Sequence, residues 1–148
     1  MSGIFSTFRI TASALTSQRL RMDVTANNVA NAETTRTEEG GPYQRQQVVF
    51  EAQQDGSNFI PARFSANDSK PGRGVQVTEI LTDDSPGNRV YDPNHPDADE
   101  EGFVTYPNVN VVTEMTDMLS ATRSYEANVT VFNSLKNMAL RALDIGRG

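Results

Sequence analysis

Apolar residues near the two ends of the chain recur at helical intervals. Phe8, Leu15, Met22 and Val29 stand seven residues apart, with Ile4 one turn earlier, and the alternate positions of that row are Thr11, Gln18 and Thr25. Only half of an a/d seam is therefore apolar. Thirteen of the first 35 residues are Ser, Thr or Asn, types that favour caps and turns over helix interiors. The spacing predicts a helix that needs a partner. The C-terminal pattern is stronger: Met118, Ala121, Tyr125, Phe132, Leu135, Ala139 and Ala142 follow 3–4 spacing, interrupted by Asn128. A flanking row of Val112, Met115, Leu119, Val129 and Leu143 widens the apolar face. Asn110 suits the N-cap, Glu114 and Asp117 suit the positive end of the helix dipole, and Gly146 suits the stop. Together they predict one helix over 111–145, about 50 Å long at 1.5 Å per residue.

Helix breakers avoid both of these segments. All seven prolines lie between Pro42 and Pro107, and glycine is missing from 4–39 and again from 103–145. The chain thus divides into an N-terminal helix within 1–35, a β- and loop-rich middle over 36–108, and a C-terminal helix within 109–148. Strand-like runs in the middle are Val48–Phe50, Phe59–Phe64, Val75–Leu81, Arg89–Tyr91 and Phe103–Tyr106, separated by turn-rich stretches such as Asp83–Asn88. Few apolar residues remain for a large sheet. The predicted fold class is mainly α, with a small inserted β-structure and long loops.

Composition sharpens this. Hydrophobic residues make up 36% of the 148-residue chain and Trp is absent, which leaves little for an enzyme-sized core. Without cysteine, disulfides, thiolate metal sites and cysteine nucleophiles are all excluded. The net charge of −6 argues against nucleic acid as a partner, since phosphate binding needs clustered Lys and Arg. Nearly all the acidity is central: residues 36–110 carry six basic and thirteen acidic groups, whereas 1–35 carry three and two and 111–148 four and four. Near-neutral ends can pack against copies of themselves without strong repulsion. No basic cluster precedes an apolar core at the start, where Arg9, Arg19 and Arg21 intervene, and no window approaches 18 apolar residues. Neither a cleavable secretory signal nor a membrane span is expected.

Candidate chemistry is thin. The single histidine, His95, lies in the acidic run Asp92–Glu101, where carboxylates beside an imidazole could hold a divalent metal or form an acid/base pair. The EF-hand template fails there, because Pro96 stands where an oxygen ligand belongs and Asp97 replaces the turn glycine. A proline-braced, solvated turn leading into Phe103 is the preferred reading. Neither Gly-x-Ser-x-Gly nor a phosphate-loop motif occurs, and Gly72-Arg73-Gly74 lacks the rest of a dinucleotide fingerprint. No catalytic, cofactor or metal residue is assigned, and no small-molecule substrate is expected. Two polar features remain open. The amides of Asn27, Asn28 and Asn31 either bridge backbones in a packed assembly or mark a fraying helix end. Asn128, alone on its seam, either fixes helix register or is partly solvated.

The run Arg21-Met22-Asp23-Val24-Thr25-Ala26-Asn27-Asn28-Val29-Ala30-Asn31-Ala32-Glu33-Thr34 resembles the signature of the bacterial flagellar rod and hook family. Two further stretches look like a rod member of that family. One runs from Val90-Tyr91-Asp92-Pro93-Asn94-His95-Pro96-Asp97-Ala98-Asp99 through Gly102-Phe103-Val104 to Tyr106-Pro107-Asn108-Val109. The other is Glu114-Met115 to Met118-Leu119, then Arg123-Ser124-Tyr125-Glu126-Ala127-Asn128. The similarity covers both ends and the second half of the middle. It implies terminal helices that pair as an antiparallel coiled coil and form the inner tube of a torque-transmitting rod across the periplasm. It implies partners among copies of the chain, neighbouring rod proteins and the base with its export gate, and export through the flagellar type III apparatus. Two other classes compete: a secreted adhesion module with the β-middle as recognition surface, and a metal-dependent enzyme centred on His95.

Overall fold

The computed structural model describes residues 2–53 and 72–146. Its elements are, in order, α1 (Ser2–Ala30), β1 (Gln46–Ala52), β2 (Val75–Thr82), β3 (Asn88–Tyr91), β4 (Phe103–Tyr106) and α2 (Val111–Ile145). The strand expected over Phe59–Phe64 lies outside the described residues. Two long helices thus flank a small β region.

Local chemistry explains the helix bounds. Asn110 takes an extended backbone, and its side chain accepts from the N–H groups of Val112 and Thr113, which opens α2. At the other end Gly146 donates to the carbonyls of Ala142 and Asp144, with φ at −76° rather than in the left-handed region. In α1 the many hydroxyls bond back into the helix: Thr7 to the Gly3 carbonyl, Thr11 to Thr7 and Thr16 to Ala12, at 2.9, 3.0 and 3.1 Å. This back-bonding satisfies hydroxyls inside a helix. It is how Thr11, one of the polar positions of the seam, comes to be buried; Thr25 and Ser17 are buried as well.

The helices lie against each other, and as residue numbers climb in α1 they fall in α2. Phe8 meets Phe132 edge-on, with ring centroids 5.1 Å apart. The Thr122 hydroxyl donates to the Met22 sulfur at 3.4 Å, and Arg21 pairs with Asp117 at 3.3 Å. On α2 the positions turned inward are Glu114, Met118, Ala121, Tyr125, Asn128, Phe132, Leu135 and Ala139, alternating four and three residues apart. Apart from the buried Glu114 and Ala121, these side chains are only half covered.

β1 and β2 pair antiparallel from Gln46↔Thr82 to Ala52↔Val75, with the register slipping between Val49 and Phe50. This ribbon lies on α1. At Gly74 the backbone passes so close to Ser13 and Ile10 that a Cβ would collide with the Ser13 side chain, and its φ of +115° is one that suits glycine. One residue on, the Val75 N–H donates to the Ser13 hydroxyl at 3.1 Å. β3 and β4 form a second antiparallel ribbon, from Asn88↔Tyr106 to Tyr91↔Phe103. The buried apolar side chains among the described residues are Val24, Val104 and Ala121. By itself this is a slender core, given that a large buried apolar side chain contributes about 1.5–3 kcal/mol.

Candidate functional site

Four segments converge where α1 ends: the Asn cluster of α1, the chain entering β1, the loop after β2 and the first turn of α2. Asn28, 1% exposed, stands at the centre. Its amide nitrogen donates to the Gln46 carbonyl at 2.8 Å and to Glu114 Oε2 at 2.9 Å. Its amide oxygen accepts from the Tyr43 hydroxyl at 2.9 Å and from the Gln46 N–H at 3.0 Å. Both donors and both lone pairs of one amide are thereby used. Only an amide satisfies that set, because it must give and receive at adjacent atoms.

Glu114 is 2% exposed and anchored on both oxygens, since Arg45 Nε donates to Oε1 at 2.6 Å. Such a pair inside the protein is offset against desolvation only when its polar atoms are also bonded; both Glu114 oxygens are, and the Arg45 side chain keeps 16% of its surface in solvent. Arg45 extends the junction through its backbone: its N–H donates to Asn108 Oδ1 at 3.3 Å, and its carbonyl accepts from the Asp83 N–H at 2.8 Å. Asn108 in turn donates to the Asp83 carbonyl at 3.3 Å. Burial, with the Glu114 charge adding to it, pushes the Tyr43 phenol above its ordinary pKa. The phenol therefore stays protonated and donates to Asn28.

The neighbouring amides have other tasks. Asn27 donates to the Tyr43 oxygen at 3.3 Å. Asn31 folds back on the Asn27 carbonyl and side-chain oxygen at 2.9 and 3.0 Å, closing the end of α1. Within the subunit Asn28 joins α1 to the start of β1 and to α2, and Asn31 closes the end of α1. Asn128 is half-buried and donates to the Ser124 carbonyl of its own helix at 2.8 Å. The buried polar contact that crosses between the helices is Asn28 to Glu114.

Phe8, Leu15, Met22 and Val29 on α1, and Met118, Tyr125, Phe132 and Leu135 on α2, are half-buried. Met115 and Leu119 are not covered; Leu119 is 52% exposed. The row that widens the apolar face therefore points away from α1, and of its members only Val129 is half-buried. Tyr43 and Arg45 carried no local signal. Glu114 did carry one, since it falls in step with the 4–3 spacing of Met118, Ala121 and Tyr125.

Around His95 the described structure is a braced turn. His95 Nδ1 accepts from the Asp97 N–H at 3.1 Å, and its ring meets Tyr106 edge-on. Asp97 ties the turn to the chain leaving α1, accepting from the Thr35 hydroxyl at 2.8 Å with Arg36 at 3.8 Å. The N–H groups of Phe103 and Glu101 and the Arg89 guanidinium hold the Asp99 carboxyl below the usual carboxylate range. No group of three or more His, Cys, Asp or Glu placed to hold a metal ion occurs among the described residues, and no described helix is long and apolar enough to cross a membrane.

The two long helices are thus half covered by each other and joined at one end through a buried polar junction. Family comparison falls on the same two elements. A family described as flagella basal body rod protein matches residues 8–36, and one described as flagellar basal body rod FlgEFG protein C-terminal matches residues 100–145. The chain is 47% identical to the flagellar basal-body rod protein FlgC of Borreliella burgdorferi, covering 99% of both chains. It is 45% identical to that of Bacillus subtilis and 40% identical to that of Escherichia coli, in each case over 97% of this chain and 98% of the relative. The chain belongs to the flagellar basal-body rod protein FlgC family.

Proposed function

We propose that the chain is a structural subunit of the proximal rod of the flagellar basal body, that it assembles helically through its terminal helices, and that it catalyses nothing. The observation that carries this reading is the shortage of buried apolar surface. A 35-residue α2 leaves Val112, Met115, Leu119, Val131, Met138 and Leu143 exposed, while three apolar side chains form the buried core of the described subunit. Patches of this kind mark contact surfaces. The opposite run of residue numbers in Phe8–Phe132 and Asn28–Glu114 supports an antiparallel coiled coil of α1 with α2. In this reading 1–35 and 109–148 form the helical core lining the rod, 36–108 forms the acidic outer part, and torque passes across the periplasm through the packed helices. Its partners are further copies, neighbouring rod proteins and the base with its export gate. Export runs through the flagellar type III apparatus, and no cofactor or small-molecule substrate takes part.

The test that separates this from an enzyme or metal site centred on His95 uses two strains. Gln in place of His95 supplies an amide oxygen that can accept from the Asp97 N–H, as Nδ1 does, but cannot act as a base near neutral pH, so a catalytic site would fail. In a rod subunit the turn serves by shape, with Pro93 and Pro96 fixing their φ angles and Asp97 tied to Thr35 and Arg36. Near-normal swimming is expected for His95→Gln. A clear assembly defect is expected when 92–102 is replaced by a Gly/Ser linker, which adds chain entropy and removes those ties. With export checked by blotting, loss of swimming in His95→Gln beside a swimming linker strain contradicts the structural reading.

A further inference from the structure

Two exposed rows on α2 share one spacing. Val112, Met115 and Leu119 stand three and four residues apart and line a shallow groove of about 520 Å³ together with Met118 and Thr122. Val131, Ser134 and Met138 repeat the same three-and-four step, 19 residues further along, and Met138 is 56% exposed. At 1.5 Å and about 100° per residue, that offset places the second row about 29 Å along the helix and about 100° around it. The rows therefore face different directions from different levels of one helix.

Resting on the rod reading, we propose that the Val112–Met115–Leu119 row of one copy seats the Val131–Ser134–Met138 row of a second copy. Their α2 helices run parallel, as the common polarity of subunits in a helical assembly requires. The equal spacing brings Val112 level with Val131, Leu119 with Met138, and the long Met115 with the small Ser134. Charge follows the same alignment. Beyond Leu119 the first row runs on to Glu126, and beyond Met138 the second runs on to Arg141. Thr122 is level with Arg141, so the Glu126 carboxylate of one copy stands a single turn from the Arg141 guanidinium of the other, within reach of both side chains. Because the rows differ in level and direction, each copy presents a used and an unused row. The contact is heterologous and propagates rather than closing into a dimer.

Cysteine is absent from the chain, so disulfide trapping starts from a clean background. Leu119→Cys and Met138→Cys subunits are expressed separately and together, basal bodies are isolated and oxidised, and dimers are scored on non-reducing gels. A bond needs Cα atoms within about 7 Å, which the level pairing provides. The expected result is a covalent dimer only where both variants are present. Val112→Cys with Val131→Cys, at the same offset, serves as the second pair if either first substitution blocks assembly. A dimer from Leu119→Cys alone overturns the proposal in favour of a symmetric contact. So does the absence of dimers from both pairs when blotting shows the variants in the basal body. Absence of the unsubstituted subunit from basal bodies overturns the rod reading itself.

Discussion

Replacing Glu114 with Ala is expected to lower the melting temperature of the subunit by on the order of 10 °C or to abolish its cooperative melting. The substitution strips Arg45 of its carboxylate and Asn28 of one acceptor at a site that is 2% exposed. Breaking a buried ion pair from one side costs about 3–5 kcal/mol, and the 16% exposure of the Arg45 left behind places this loss toward the lower end. A whole domain is stable by only about 5–15 kcal/mol, and this one has three buried apolar side chains among its described residues to draw on. Glu114→Gln keeps the shape and one acceptor while losing the charge, so its loss is intermediate. Circular dichroism melting of the three proteins checks the order. Equal melting of Glu114→Ala and the parent chain contradicts the role given to the junction.

Leu119→Asp separates folding from assembly. Half of Leu119 already meets solvent in the subunit, at 52% exposure, so a charge there lowers subunit stability by only about 1 kcal/mol. In a packed assembly the same carboxylate is driven out of water without a partner, at a cost of several kcal/mol in every copy. The expected strain exports a subunit that melts close to the parent chain, builds no rod and bears no filaments. Normal motility in that strain contradicts burial of Leu119 on assembly. A large fall in the melting temperature contradicts its exposure in the subunit.

Much of the fold was legible because its signals are local. Asn110 opens α2 as its cap chemistry predicts, Gly146 ends it without the left-handed turn a glycine stop favours, and the runs at Val48–Phe50, Val75–Leu81, Arg89–Tyr91 and Phe103–Tyr106 fall on β1 to β4. The junction was less legible because it is built across distance. Asn28 and Glu114 are 86 residues apart and Arg45 and Glu114 are 69 apart, so no window along the chain contains them. Read locally, Glu114 is one more acid in a first turn suited to the helix dipole. Only its place in the 4–3 row shows that it faces inward. Thr11 misleads in the opposite way: its hydroxyl suggests a weak seam, yet a hydroxyl that bonds back to its own helix can be buried at little cost, as this one is on the Thr7 carbonyl. Met115 and Leu119 were legible as an apolar row, but periodicity does not tell a face covered by α1 from one left for another chain.

If the two terminal helices of this chain build the rod wall, a density map of the assembled basal body will show it there. The expected map has α1 and α2 as two adjacent antiparallel rods of density about 44 and 53 Å long on the side facing the axis. The β-rich middle should lie outside them. Density for the chain outside the rod, or with the β-middle inward and the helices exposed at the surface, would contradict it.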